Sequence, residues 1–132
     1  FEHKKVSKKK IIDMEIKKTG KLFSFFCTAP LIIKNKNKKE IKSFEKIGSN
    51  IGLLFQVADD LIDYRGSSKI AGKKTRKDEK QGKATLISLM GYNNAVKYAE
   101  QLSLNLKKSL KKYGSKSKNL NQTIDYILHR NK

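Results

Sequence analysis

The amino-acid sequence predicts an all-α fold. Apolar residues recur every three or four positions along most of the chain, which is the spacing of one face of a helix. The alternation of apolar and polar residues that is typical of a half-buried strand occurs nowhere in the sequence. A chain of 132 residues is within the size of one domain and can bury a core, although 37% hydrophobic and 33% charged residues make that core lean.

The first predicted helix covers about residues 5–33. Its apolar residues keep a helical spacing: Ile12, Ile16, Leu22, Phe23, Phe26 and Ile33. The segment Lys17–Leu22 interrupts this pattern, because Thr19 and Gly20 are poor residues for the middle of a helix. We expect a kink or exposed backbone there, with carbonyl groups free to face a ligand. Pro30 with Leu31–Ile33 predicts the end of the helix, and residues 34–39 predict a polar connection.

A second long helix is predicted over about residues 38–64. Its core stripe consists of Ile41, Phe44, Ile47, Ile51, Leu54, Ala58 and Leu61. Another arc of the same helix holds three acids and no base, and its members are Gly52, Gln56, Asp59, Asp60 and Asp63. Asp59 and Asp63 face each other as like charges, and no Lys or Arg lies between Asn50 and Tyr64. The arc occupies the predicted C-terminal turns, where the helix dipole adds negative charge, so we expect a cation here.

The acidic arc is suited to Mg²⁺. This ion prefers oxygen ligands, and it commonly takes one or two protein carboxylates together with water and substrate phosphates. The residues alone leave a second interpretation open, in which Asp59, Asp60 and Asp63 form the acidic solvent-facing side of an ordinary amphipathic helix.

The remainder of the chain is predicted to contain a loop and two more helices. Residues 65–82 are rich in Gly and Lys, and no Gly-Lys pair in them fits a phosphate-binding P-loop. The apolar positions of the next helix are Ala95, Ala99, Leu102, Leu106, Leu110 and Tyr113. Asn93 or Asn94 is its predicted N-terminal cap. Residues 114–119 predict a turn, and residues 120–128 predict a last short helix followed by a basic ending.

The net charge of +19 raises the possibility of nucleic-acid binding. However, only Arg65, Arg76 and Arg130 among the 31 basic residues are arginine, the side chain that base-edge and bidentate phosphate recognition favour. We interpret the many lysines as a compositional bias and keep a basic helical nucleic-acid-binding protein as an alternative. The sequence contains no run of 18 apolar residues, so we predict no membrane span. No secretory signal pattern opens the chain, and the cytoplasm is therefore the default location. Cys27 is the only cysteine, which excludes a disulfide or zinc cluster within these residues.

Three motifs together resemble the trans-prenyltransferases, the family of the farnesyl and geranylgeranyl diphosphate synthases. The pattern from Gly52 to Asp63, with Phe55-Gln56 and Asp-Asp-x-x-Asp, resembles the family's second aspartate-rich motif. Lys18-Thr19-Gly20-x-Leu22 resembles its Lys-Thr-Gly-x-Leu motif, and residues 72–85 resemble the segment that follows the aspartates. The sequence departs from the family pattern at Arg76, where Gly is usual, and at Ile87, where Pro is common. The resemblance implies an isoprenoid-synthase-type helical bundle.

The resemblance also implies a role for each motif residue. Mg²⁺ would be held by the acidic motif, that is, by Asp59, Asp60 and Asp63. Three lysines from separate segments would bind the allylic diphosphate, namely Lys18, Lys73 and Lys83. Thr19 and Gln56 would lie near the developing carbocation, with Phe55 beside the substrate. Arg130 belongs to a basic ending that resembles the tail covering isopentenyl diphosphate in bacterial short-chain synthases; a solvated terminus is the alternative for it.

The implied activity is Mg²⁺-dependent condensation of isopentenyl diphosphate with an allylic diphosphate. The expected product is a short-chain diphosphate, with farnesyl diphosphate as the first expectation, and the full-length enzyme is expected to be a homodimer. A non-catalytic subunit of a heteromeric prenyl synthase is an alternative, as is a class I terpene cyclase, whose second metal motif usually includes Asn and Ser or Thr.

The resemblance covers only the C-terminal half of the family's domain. The chain also begins with Phe1 instead of Met. We therefore interpret residues 1–132 as the C-terminal part of a single polyprenyl synthetase domain. Because the first aspartate-rich motif is missing, this part alone is expected to be inactive and to expose the stripe formed by Leu54, Leu61 and Ile62.

Overall fold

The fold is built from helices, as the sequence predicts. The structure, a computed structural model, describes residues 6–70 and 85–130, and no strand occurs in these two ranges. In chain order the α-helices are α1 (Lys8–Glu15), α2 (Lys21–Ile33), α3 (Lys38–Ile70), α4 (Leu86–Met90), α5 (Tyr92–Leu110) and α6 (Lys118–His129). A π-helical segment, Ile16–Gly20, joins α1 to α2, and a 3₁₀ segment, Lys111–Ser117, joins α5 to α6. None of the helices within these ranges has the length and apolar character needed to cross a bilayer.

The first helical run is interrupted where the sequence predicts it, and the interruption is a π-helical turn. The Lys21 N–H donates to the carbonyl of Ile16, five residues earlier instead of four. The predicted end of this run is confirmed, because α2 ends at Ile33. Pro30 lies within its last turn, where it removes only one backbone donor. The helix ends just before Asn35, whose φ of 51° lies in the left-handed region.

Helix α3 is longer than predicted, because residues 65–70 are helical and do not belong to a loop. Gly66 lies within these residues, and a single Gly in a helix is tolerated. Tyr64, the residue before these turns, stacks on Tyr92 of α5 with centroids 5.2 Å apart, and the Ser67 hydroxyl of the extension donates to the Tyr64 carbonyl at 2.9 Å. The acidic arc therefore lies in the interior of α3, and the predicted contribution of the helix C-terminus to its negative charge is wrong. The rest of the predicted loop, 71–82, lies outside the described residues.

Helix α4 was not predicted, and it changes the start of α5. The Thr85 hydroxyl accepts the Ser88 N–H at 3.1 Å while the Ser88 hydroxyl accepts the Thr85 N–H at 3.0 Å, which forms a capping box. The buried Ile87 lies inside this short helix. Gly91, at φ 85°, turns the chain directly into α5. The prediction of Asn93 or Asn94 as the cap is wrong, because Asn94 instead donates to the carbonyl of Met90.

The predicted turn at 114–119 is shorter than expected. Gly114 departs strongly from helical backbone angles, at φ 56° and ψ −134°, and α6 begins at Lys118. Ser117 ties the turn together, since its hydroxyl donates to the Gly114 carbonyl and accepts from the amide of Asn121. Asp125 of α6 forms an ion pair with Lys107 of α5.

The core lies around α3, between α2 on one side and α5 and α6 on the other. Its fully or nearly buried residues from α3 are Ile47, Ile51, Leu53, Leu54, Val57, Ala58 and Leu61. The expectation that Leu54 and Leu61 would be exposed is wrong, because both are buried in the core; Ile62 is half-buried. Exposed large apolar side chains occur mainly on α2 instead, where they are Leu22, Phe25, Phe26, Ile32 and Ile33.

Glycines allow α3 to approach the preceding helical run at backbone distance. A Cβ atom at Gly52 would lie 2.7 Å from the Cα of Gly20, and one at Gly48 would lie 2.6 Å from the Cα of Ser24. Side-chain atoms do not reach such distances from backbone atoms without displacement. The contact between the π-helical segment and α3 therefore depends on the absence of a side chain on α3.

We predict that Gly52→Ala destabilises the fold, because the new methyl group must push α3 away from Gly20. Overpacking of this kind costs about 1–3 kcal/mol in free energy of unfolding. Gly66→Ala is the matched control on the same helix, since a Cβ there meets nothing within 4 Å and gains up to ~1 kcal/mol of helix propensity. Urea denaturation followed by circular dichroism measures both. Equal stability of Gly52→Ala and the wild-type chain would disprove the close contact.

Candidate active site

The structure brings Thr19 into contact with Gln56, and these two residues were predicted to lie together near the developing carbocation. The hydroxyl of Thr19, in the π-helical segment, donates to Oε1 of Gln56 on α3 at 2.5 Å. The two residues are 37 positions apart, and both are partly buried. Single π-helical turns within α-helices occur frequently at functional sites. The contact links the Lys-Thr-Gly segment to the acidic helix at the point where Gly20 and Gly52 meet.

Phe55, the residue before Gln56 on α3, belongs to a pair of aromatic rings. The ring of Phe55 lies 5.5 Å from the ring of Phe23, measured between centroids. The guanidinium carbon of Arg130 lies 4.5 Å from the centroid of Phe55, within the range of a cation–π interaction. Phe55 and Arg130, both predicted to bind substrate, are therefore neighbours. The sequence analysis assigned Phe23 no role beyond its place in the helical pattern.

A basic side chain from beyond α6 reaches the acidic arc. Arg130, which follows α6, forms an ion pair with Asp59, 71 residues earlier. The side chain of Arg130 is only 16% exposed, whereas that of Asp59 is 38% exposed. The absence of Lys and Arg within the motif led us to expect an external cation, but the fold supplies one internally. No local sequence signal indicates this pairing.

Asp60 and Asp63, the other two acids of the arc, differ in their exposure to solvent. Asp63 is exposed, and Asp60 is half-buried with interactions of its own. Within the described residues, no three acidic, His or Cys side chains are gathered closely enough to enclose a metal ion. The donor chemistry nevertheless fits Mg²⁺, because this ion needs only one or two protein carboxylates when phosphate and water complete its shell. The metal assignment stays a prediction.

Of the three lysines predicted to bind the diphosphate, Lys18 lies within the described residues. Lys18 lies in the π-helical segment beside Thr19, and its side chain is exposed. Lys73 and Lys83 lie outside the described residues, as does the departure at Arg76. The convergence of the three lysines on one diphosphate therefore stays a prediction.

The surroundings of Cys27 disfavour a nucleophilic role. Its side chain is half-buried on α2, and burial raises the pKa of the thiol. A thiol with a raised pKa carries less of the reactive thiolate at neutral pH. We therefore exclude Cys27 from the candidate site.

Comparison with known proteins finds a matching family and several similar proteins. The sequence profile of the family described as Polyprenyl synthetase matches residues 1–127. The chain is 33% identical over 131 residues to a farnesyl diphosphate synthase of Micrococcus luteus, covering 99% of this chain and 45% of that protein. It is 35% identical over 101 residues to a farnesyl diphosphate synthase of Escherichia coli, covering 74% and 34% respectively. A geranylgeranyl diphosphate synthase of Cyanophora paradoxa is 31% identical over 118 residues, covering 89% and 39%. The chain thus spans less than half the length of these curated relatives.

We predict that the hydrogen bond between Thr19 and Gln56 stabilises the packing of the π-helical segment on α3. Thr19→Val keeps the shape and removes the hydroxyl, which leaves Oε1 of Gln56 without its donor and costs about 1 kcal/mol. Thr123→Val is the control, because that exposed hydroxyl donates only to the Asn119 carbonyl of its own helix.

A double-mutant cycle identifies the cause of the loss. Combining Thr19→Val with Gln56→Leu should give a coupling free energy of about 0.5–1.5 kcal/mol in urea denaturation. Strictly additive effects of the two substitutions would contradict the hydrogen bond.

Proposed function

We propose that this chain, which belongs to the polyprenyl synthetase family, is the C-terminal part of a single domain that condenses isopentenyl diphosphate with an allylic diphosphate. The product we expect is a short-chain prenyl diphosphate, with farnesyl diphosphate first. The observation that carries the proposal is the Thr19–Gln56 contact, because it joins the Lys-Thr-Gly segment to the helix that bears Asp59, Asp60 and Asp63. The similarity to synthases of farnesyl and geranylgeranyl diphosphate supports it.

The acidic arc would hold the metal. Asp59, Asp60 and Asp63 provide hard oxygen donors on one helix, the ligand type that Mg²⁺ prefers. When bound, Mg²⁺ neutralises negative charge on a diphosphate leaving group. The charge on Asp59 is at present balanced by Arg130, so this carboxylate already occupies a position where a cation is stabilised.

The lysines would bind the same diphosphate from the other side. Lys18 is exposed to solvent, so its ammonium group is free to meet a phosphate. We propose that Lys73 and Lys83 join it as point charges, each contributing a charge-assisted hydrogen bond of about 1.5–3 kcal/mol. Holding the diphosphate at several points would favour its departure from the allylic carbon.

Thr19, Gln56 and Phe55 would stabilise the positive charge that develops on the allyl group. A hydroxyl that donates to Gln56 keeps its lone pairs for another partner, and such fixed oxygen dipoles favour a nearby cation. The face of the Phe55 ring already interacts with the Arg130 guanidinium, which indicates that this surface accommodates positive charge. No protein nucleophile is needed, since the double bond of isopentenyl diphosphate attacks the cation and a proton is then lost.

The remaining assignments follow the same proposal. The complete enzyme would be a cytoplasmic homodimer, and Arg130 would approach isopentenyl diphosphate. A non-catalytic subunit of a heteromeric synthase is less well supported, because such a subunit would be expected to lose part of the acidic motif or its lysines. Here Asp59, Asp60 and Asp63 are all present, as are Lys73 and Lys83.

We predict that Asp59→Asn, made in the natural polypeptide that contains these residues, lowers turnover by about 100-fold or more, because a metal-binding charge is lost. Asp125→Asn is the matched control, since Asp125 is also paired with a cation but belongs to the α5–α6 contact. Incorporation of radiolabelled isopentenyl diphosphate in the presence of Mg²⁺ measures both. Activity of Asp59→Asn within a few-fold of Asp125→Asn would refute the metal assignment.

We further predict that residues 1–132 alone form no prenyl diphosphate. Ionising the allylic diphosphate needs charge neutralisation from two acidic motifs in this family, and these residues contain one. Adding the N-terminal half of the domain, in one chain or co-expressed, should restore Mg²⁺-dependent product in the same radiolabel assay. Product from the 132 residues alone would show that the active site has been placed or delimited wrongly.

A further inference from the structure

The side chain of Arg130 occupies an unusual position for a residue near the end of the described chain. It is 84% buried, as its exposed fraction is 16%, and it lies on the face of Phe55. Its ion pair with Asp59 is formed by one terminal nitrogen. The buried Nε atom donates to no described residue. A guanidinium group has five N–H donors, so this environment satisfies it incompletely.

The position of Arg130 depends on the charge of Asp59. A buried cation without a partner is strongly unfavourable, and leaving a donor such as Nε unsatisfied already has a cost. The contact with Phe55 offsets only part of this cost. The Asp59 carboxylate is therefore the contact that chiefly holds Arg130 in place.

The proposed metal role of Asp59 places two cations in competition. The Asp59 oxygen that binds Arg130 is the type of donor that a divalent ion requires. A divalent ion on this carboxylate would also repel the adjacent guanidinium. We propose that Arg130 is an internal counter-ion that occupies Asp59 in the metal-free chain and leaves it when a divalent cation binds. This inference rests on the proposed function, since it requires Asp59 to be a metal ligand.

The competition links metal binding to the end of α6. Arg130 directly follows this helix, so its release would free the last turn from α3 and uncover the face of Phe55. Linkage is reciprocal: if the metal must displace Arg130 from Asp59, removing Arg130 strengthens metal binding by the free energy that this displacement costs. Metal affinity is therefore expected to rise when Arg130 is removed.

The test compares metal affinity among four forms of the natural polypeptide. Mn²⁺ titration followed by the electron paramagnetic resonance signal of the free ion measures the dissociation constant for the wild type, Arg130→Gln, Lys107→Gln and Asp59→Asn. Lys107→Gln is the matched control, because it also removes one positive charge that is paired with an aspartate. We expect Arg130→Gln to lower the dissociation constant about 3- to 10-fold relative to Lys107→Gln. Equal constants for these two variants would overturn the inference.

Asp59→Asn separates the two possible failures. If it binds Mn²⁺ as well as the wild type, the proposed metal site itself is wrong. If it binds weakly while Arg130→Gln matches the control, the metal site stands and the competition is refuted.

A second measurement uses only the wild-type chain and so does not depend on a variant's folding. The side-chain Nε–Hε resonance of Arg130, one of three arginines in these 132 residues, is followed by NMR as Mg²⁺ is added. We expect it to shift with the same midpoint as metal binding. A resonance that stays unchanged at metal saturation would also overturn the inference.

Discussion

The close approach of the π-helical segment to α3 is the constraint on which the site depends. Gly20 and Gly52 meet where no side chain fits, and this allows the Thr19 hydroxyl to reach Gln56. The π-helical turn and the missing side chains occur at the same place, since Gly20 ends the π-helical segment and meets Gly52. The same features that look unfavourable in an isolated helix, Thr and Gly in its middle, are what place the polar groups beside the acidic arc.

A second constraint is the balance of charge at the acidic arc. The chain carries a net charge of +19, yet the arc itself has no local base. The fold brings Arg130 from the end of α6 to Asp59 and shields it against Phe55. Gln56 and Asp59 are three residues apart on α3, so the Thr19–Gln56 contact and the ion pair lie about one helical turn from each other.

The sequence predicted those features that arise from local pattern. The helical spacing identified the buried stripe of α3, and Thr19-Gly20 identified the interruption before α2. It did not predict features that arise from contacts between distant segments. Tyr64, directly before the extension of α3, stacks on Tyr92 of α5, and the Asp59–Arg130 pair spans 71 residues. Neither contact leaves a periodic signal in the sequence.

The central claim is that the Thr19–Gln56 contact and the acidic arc form one allylic diphosphate site. The most direct test is a crystal structure of the natural polypeptide with Mn²⁺ and an unreactive allylic diphosphate analogue, in which anomalous scattering locates the metal. Our account predicts a Mn²⁺ peak in contact with a carboxylate of α3, the diphosphate beside Lys18, and the allylic carbons beside Thr19 and Gln56. Mn²⁺ bound away from Asp59, Asp60 and Asp63, or an analogue bound away from Thr19 and Gln56, would contradict it.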